Sequence, residues 1–213
     1  MQKVYFISGL GADERSFSFL QFSNYEPVFV NWLTPLSKET LPNYALRLRK
    51  TINAQNPIIV GLSFGGMLVT EMAKADNTVQ AIIISSNSSK KQFPFWLQIG
   101  KYLPLYKWLP NNHFNKTSEL IHWFMGTKTK ETRSVSQQII SDTDVNFTKW
   151  AIEAIMHWNN TTKPKNLVHI HGSNDKLLPY FLVSADYCIN GGGHLMIMDE
   201  AETVGAILVS IIG

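Results

Sequence analysis

A serine set between glycines, Gly61-Leu62-Ser63-Phe64-Gly65, carries the most legible chemistry in this chain. It falls where an apolar run, Pro57-Ile58-Ile59-Val60, gives way to a helical pattern. At such a strand-to-helix turn, the nucleophile elbow, a serine is held in a strained conformation with its Oγ pushed outward. The small flanking residues let the two backbones pass closely, and Gly66 extends the same clearance. A serine hydroxyl attacks poorly until a base takes its proton. That base needs a third group to fix its tautomer and stabilise its cation, so the chain must also supply a histidine and an acid.

Both lie downstream at strand ends. The buried-strand run Leu167-Val168-His169-Ile170 leads into His171-Gly172-Ser173-Asn174-Asp175-Lys176-Leu177-Leu178-Pro179, which puts Asp175 in a turn. A second run, Ala185 to Ile189, leads into Asn190-Gly191-Gly192-Gly193-His194, followed by an apolar helical pattern from Ala201 to Ile211. A triple glycine costs conformational entropy that a merely structural loop has little reason to bear, which favours His194 as the base. Asp142 and Asp144 supply the acid only if their segment folds down over the site, and Asp186 lies within a strand pattern and points elsewhere.

These motifs together resemble the α/β-hydrolase superfamily, and specifically a small serine-nucleophile member with a helical cap. Four local matches carry the resemblance: the elbow at Ser63, Gly-x-x-Asp with a following Pro at Gly172 to Pro179, Gly-Gly-His at Gly192 to His194, and the N-terminal Ser8-Gly9-Leu10-Gly11-Ala12 after the strand run Lys3 to Ile7. The order Ser, Asp, His is the order of that family. The resemblance implies a Ser63, Asp175, His194 catalytic triad and an oxyanion hole formed by the backbone N–H groups of Leu10 and Phe64. The family commonly begins the N-terminal turn with His-Gly, and Ser8 stands here in place of the histidine.

The elements that would position these residues alternate as β and α. Strand patterns fall at 3–8, 27–32, 57–62, 80–85, 167–171 and 185–189, with helical patterns at 13–20, 41–53, 65–75 and 201–211. This alternation predicts an α/β fold, a minimal α/β-hydrolase sheet of about six mostly parallel strands flanked by helices. Ligands of such a sheet bind at the carboxyl ends of its strands, where Leu10, Ser63, Asp175 and His194 all fall.

Residues 87–165 break the alternation. Helix-like stretches near 93–109, 117–125, 131–141 and 145–158 are interrupted by Pro94, Pro104, Pro110 and Gly126. The resemblance implies a helical cap (lid) inserted at this point, which leaves 1–86 and 166–213 as the core. Trp96, Trp108, Trp123, Trp150 and Trp158 lie in the insert; most are expected to form its own small core, with Trp96, Trp123 and Phe124 as candidates to line a substrate pocket. The insert carries eleven Lys/Arg against five Asp/Glu, and the remainder eight against eleven. Lysines solvating an exposed lid are the favoured reading, with attraction of an anionic substrate or acidic carrier into the mouth of the site the alternative. Lys90-Lys91 and Lys128-Thr129-Lys130 are too short and scattered for a nucleic-acid footprint.

His169 and His171 straddle Ile170 without a carboxylate or cysteine at ligand spacing, so structural roles are expected rather than a metal site. His113, His122 and His157 fall in the insert, and His122 and His157 read as satisfied core histidines. At 213 residues with 45% hydrophobic composition, the chain suits one soluble domain with an insertion. No secretory signal, no apolar run of membrane-spanning length and a lone Cys188 point to a cytoplasmic protein. No cofactor is expected: there is no P-loop, and Gly9-Leu10-Gly11 lacks the rest of a dinucleotide fingerprint. The expected partner is a small-molecule substrate with an apolar acyl or aromatic group, cleaved through an acyl-enzyme. A carboxylesterase is the first expectation. Thioesterase, amidase and carbon–carbon hydrolase remain open on the same machinery, as does a ligand receptor that retains the pocket.

Overall fold

The computed structural model describes residues 1–95, 97 and 118–213. Trp96, Trp108, His113 and most of the helical stretch expected near 93–109 lie outside the described residues. Six strands form one sheet: β1 (Lys3–Ile7), β2 (Glu26–Phe29), β3 (Ile58–Leu62), β4 (Gln80–Ile84), β5 (Leu167–Gly172) and β6 (Tyr187–Ile189). Their order is β2-β1-β3-β4-β5-β6, and every pairing is parallel. The chain order reverses between β1 and β3, which opens a crevice at their carboxyl ends.

Alternation along the strands builds two cores. Tyr5, Ile7, Ile59, Ala81 and Ile83 face one side, with α1 (Leu41–Arg49), α2 (Phe64–Ala75) and α5 (Val145–His157). Val4, Phe6, Ile58, Val60, Ile82, Ile84 and Ile170 face the other, with α6 (Met196–Asp199) and α7 (Ala201–Ile212). Thr40 caps α1 through the N–H of Asn43, with Pro42 in the first turn, where its missing N–H costs nothing. Helix α2 is buried from Phe64 to Ala73, the central helix of its layer.

Two further helices, α3 (Glu119–Met125) and α4 (Lys130–Asp142), precede α5. Ser118, Thr129 and Asp144 cap the three in turn, and Gly126 ends α3 in a left-handed conformation. The apolar stripe of α5, Phe147, Ala151, Ala154 and Trp158, joins the core of α1 and α2. The two described tryptophans of this region that were expected in a local core pack on the sheet's own helices instead. Trp150 lies against Tyr44 and Phe64 and donates to the carbonyl of Glu39, and Trp158 donates to buried Glu71. An indole buried at a helix interface needs an acceptor, and the core supplies both.

Candidate active site

The elbow is built by close backbone contact. A Cβ on Gly61 would lie 2.6 Å from the carbonyl oxygen of Gly65, and one on Gly65 would lie 2.3 Å from that of Ser8. Strand β3, helix α2 and the loop after β1 therefore meet without side chains between them. Ser63 has φ 50° and ψ −115°, the strained conformation an elbow requires. Its N–H donates to Ile84, and its carbonyl accepts from the Ser86 hydroxyl at 2.6 Å. The turn is thus anchored to β4 on both sides.

Three side chains from three strand ends meet there. Ser63 Oγ lies 2.9 Å from His194 Nε2, and His194 Nδ1 lies 2.8 Å from Asp175 Oδ2. The other carboxylate oxygen, Oδ1, accepts from the N–H groups of Leu177 and Leu178 at 2.9 and 2.8 Å. Burial acts to raise the pKa of Asp175, but the charge and hydrogen bond of His194, the Leu178 N–H and the charge of His171 outweigh it. The carboxyl is held below its usual range. Asp175 and His194 are buried, whereas Ser63 keeps partial exposure. A buried acid and base behind an accessible hydroxyl suit nucleophilic attack on an entering molecule.

The glycines before His194 have a steric cause. Gly172 and Gly192 press together so closely that a Cβ on Gly172 would lie 2.2 Å from the Gly192 carbonyl oxygen. This contact sets the loops of Asp175 and His194 side by side. Gly193 meets Gly126 at the end of α3, where a Cβ would lie 2.9 Å from the Gly126 carbonyl oxygen.

The loop after β1 lies beside the elbow, a Cβ on Gly9 falling 3.5 Å from Ser63 Cβ. Ser8, the departure from the family pattern, braces this loop by donating to the Ala12 carbonyl at 2.7 Å, and Trp32 Nε1 donates to the same oxygen. Thr143 donates to the carbonyl of Gly11 at 2.6 Å, a tether that the sequence alone did not reveal. Phe64 opens α2, so its N–H has no acceptor within the helix. The loop that carries Leu10 and the helix that Phe64 opens thus both adjoin Ser63. A cleft of about 600 Å³ opens on the far side of this loop, walled by Trp32, Ile139, Phe147 and Trp150, and neither Ser63 nor His194 lines it.

The remaining candidates separate clearly. Asp142 pairs with Arg15, and Asp144 caps α5, so neither acid joins the site. Asp186 accepts from the His169 N–H and pairs with Lys163. Trp123 is about half exposed, edge-on to Phe124 and stacked under the ammonium of Lys176, the residue after Asp175. His122 is buried but has no hydrogen-bond partner at Nδ1, and His157 is exposed at the last turn of α5. Neither is the satisfied core histidine its apolar neighbours suggested, since the stripe of α5 runs through 147, 151, 154 and 158 and leaves 157 outside it. His169 and His171 bond to each other, and His171 lies behind Asp175, its Nε2 3.4 Å from Oδ2.

Neither a protein-family model nor a curated protein sequence matches the chain. Solved structures do. A hydrolase from Oleispira antarctica superposes with a TM-score of 0.72 at 14% identity, covering 100% of this chain and 91% of that one. The fold is that of the α/β-hydrolases. Other structures with this α/β-hydrolase fold include a bromoperoxidase from Bacillus anthracis, at TM-score 0.69 and 14% identity over 99% of this chain and 91% of that one. A structure described with carboxylesterases of the ammonia-oxidizing thaumarchaeon Nitrososphaera gargenis matches at TM-score 0.68 and 17% identity, over 99% and 89%. No helix among the described residues is long and apolar enough to cross a membrane.

Proposed function

We propose that this chain is a serine hydrolase that cleaves a small carboxylic ester, a carboxylesterase. The observation that carries the reading is the continuous hydrogen-bonded chain from Ser63 Oγ through His194 to Asp175. In the proposed reaction His194 Nε2 takes the Ser63 proton as Oγ bonds to the ester carbonyl carbon. Asp175 holds the Nδ1–H tautomer and stabilises the imidazolium. The N–H groups of Leu10 and Phe64 receive the developing oxyanion, and losing one such donor costs about 10²–10³ in turnover. His194 then returns its proton to the departing alkoxide as the C–O bond breaks. Water, deprotonated by His194, attacks the acyl carbon, and the released Ser63 oxygen regains the proton. The ester hydrolases among proteins sharing this fold support the choice of bond.

Residues 87–165 are proposed to act as the lid, over a core of 1–86 and 166–213. Their attachment on two sides of Ser63 supports this. Leu195 donates to the carbonyl of Met125 at the end of α3, and Thr143 after α4 donates to Gly11. Thr132 and the Lys128 N–H both bond Asp199, and Lys128 pairs with Glu200. The aromatic pair Trp123 and Phe124 on α3 suits an apolar acyl or aromatic group of the substrate.

The test is covalent. A fluorophosphonate should add one phosphonyl group per chain at Ser63, seen by intact mass, and the addition should vanish in Ser63→Ala. Labelling that persists in the alanine variant removes Ser63 from the mechanism.

A further inference from the structure

Behind the candidate acid lie two histidines bonded to each other, the nearer of them against the carboxylate. His171 Nε2 lies 2.8 Å from the carbonyl oxygen of Leu178 and 3.4 Å from Asp175 Oδ2. His171 Nδ1 lies 3.0 Å from His169 Nε2. Both imidazoles are fully buried.

The protons of this chain can be assigned by elimination. A carbonyl oxygen only accepts, so His171 Nε2 carries a proton. Burial disfavours the cation of either ring: it pushes His169 down to about 3 and holds His171 below the usual histidine value, although Asp175 and the Leu178 carbonyl act in the opposite sense on His171. A neutral His171 with its proton on Nε2 has a bare Nδ1. The 3.0 Å contact then takes its proton from His169 Nε2. Two N–H dipoles thus run in sequence, from His169 to His171 and from His171 to Leu178 O, with Asp175 Oδ2 beside the second at 3.4 Å.

We propose that His171, oriented by His169, is a positioning residue for catalysis: its Nε2, bonded to the Leu178 carbonyl, lies 3.4 Å from Asp175 Oδ2, and the positive end of its N–H dipole steadies the carboxylate that in turn holds His194. This rests on the reading of Ser63, His194 and Asp175 as the catalytic groups. Oδ1 is already held by two backbone N–H groups, whereas among the described residues Oδ2 has one hydrogen bond, to His194, with His171 Nε2 3.4 Å away. Without His171, Oδ2 loses the dipole beside it and keeps its hydrogen bond to His194, the ring that must move between neutral and cationic forms during turnover. The dipole also sets the electrostatics. Its positive end faces Oδ2 and, beyond it, the His194 ring, so it opposes the imidazolium. The other titratable groups facing the chain are Lys163 and Asp186 beside His169, and Tyr180, whose ring lies 6.4 Å from that of His171.

The experiment follows phosphonylation of Ser63 by a fluorophosphonate, as a second-order rate constant from pH 5 to 9, in the full chain. His171→Phe keeps the ring volume and removes the donor. Its rate at pH 7 should fall about tenfold, and its acidic limb should move to higher pH because His194 becomes more basic. His171→Gln, which can place an amide N–H near the lost Nε2–H, should recover most of the rate and return the limb. His169→Phe should move the limb the same way by less, since it only releases the orientation of His171. A structural role alone would change the labelled fraction or the thermal midpoint and leave the limb in place.

A His171→Phe rate within twofold of wild type with an unmoved limb overturns the proposal, as does a glutamine variant no better than phenylalanine. Should the phenylalanine variant fail to fold, the nitrogen-15 shifts of the wild-type imidazoles decide. His171 should be neutral with its proton on Nε2 at pH 7 and above, and a proton on Nδ1 there overturns the assignment. Wild-type protein that is not labelled at Ser63 removes the hydrolase reading itself. Labelled wild type with an unaffected His171→Phe removes this inference alone.

Discussion

Acidification should destabilise this protein well above the range in which its carboxylates protonate, and His169 allows the size of the effect to be worked out. Its pKa is pushed down to about 3, first by burial and then by the charges of His171 and Lys163, with Asp186 and the Ser184 backbone acting against them. In the unfolded chain the same group titrates near ~6.5. Above that pH neither state binds the proton and the group is silent. Below it the unfolded chain takes up a proton that the folded protein refuses until about pH 3, so stability is lost as pH falls from ~6.5 toward 3. Between pH 7 and pH 5 this one group should remove about 2 kcal/mol. Urea unfolding at pH 7, 6 and 5 measures the loss, and His169→Phe isolates it. The variant forfeits its bond to His171, so it should start less stable at pH 7. Its curve should then fall less steeply, leaving the gap to wild type about 2 kcal/mol narrower at pH 5. His171, also held below its ordinary value by burial, gives a remaining loss of the same sign in both proteins. Parallel stability curves for wild type and variant would refute the claim that His169 is buried as the neutral base.

Asp175→Asn should still fold, with a urea midpoint below wild type because the stabilising charge of the buried carboxylate is lost, but cut turnover of p-nitrophenyl esters by about 10⁴, more than that loss explains, because the amide holds the wrong imidazole tautomer; unchanged turnover would transfer the acid role elsewhere. Gly65→Ala places a Cβ 2.3 Å from the Ser8 carbonyl oxygen, backbone that cannot swing aside. It should cost about 1–3 kcal/mol or more in urea unfolding, and an undisturbed midpoint would mean the loop after β1 is not held against the elbow. Trp123→Ala should shift the ratio of activities toward short and long acyl esters by about 1–3 kcal/mol while Ser63 phosphonylation continues. An unchanged ratio would place the acyl group away from α3.

Strand positions were legible because apolar runs of five or six residues ended at turn residues, and β3, β4 and β5 fall where those runs lie. The residues of the candidate site were legible for a steric reason. Elbow and histidine loop both need backbones closer than a Cβ permits, so glycines at 61, 65, 172 and 192 write the contact into the sequence. The role of His171 was not legible in that way. His169 and His171 stand two apart on one strand and so share a face, which was visible, but that Leu178 and Asp175 curl back over that face depends on the turn after β5. Trp150 and Trp158 were misplaced because a helical stripe records what is buried and not the partner it is buried against. The tether from Thr143 to Gly11 joins residues 132 positions apart and leaves no periodic trace.

The strain at Ser63 is imposed from outside the serine. Glycine-to-glycine contact between β3 and α2, the Ile84 carbonyl and the Ser86 hydroxyl all act on backbone atoms of the turn, and none of them touches Oγ. The elbow is therefore a socket whose shape survives a change of occupant. Replacement of Ser63 by cysteine or aspartate would present a thiol or a carboxylate to the same crevice without rebuilding the backbone around it. A lineage with this architecture can change the group that fills the socket by one codon, while a substitution at the neighbouring glycines dismantles the turn whatever residue stands between them.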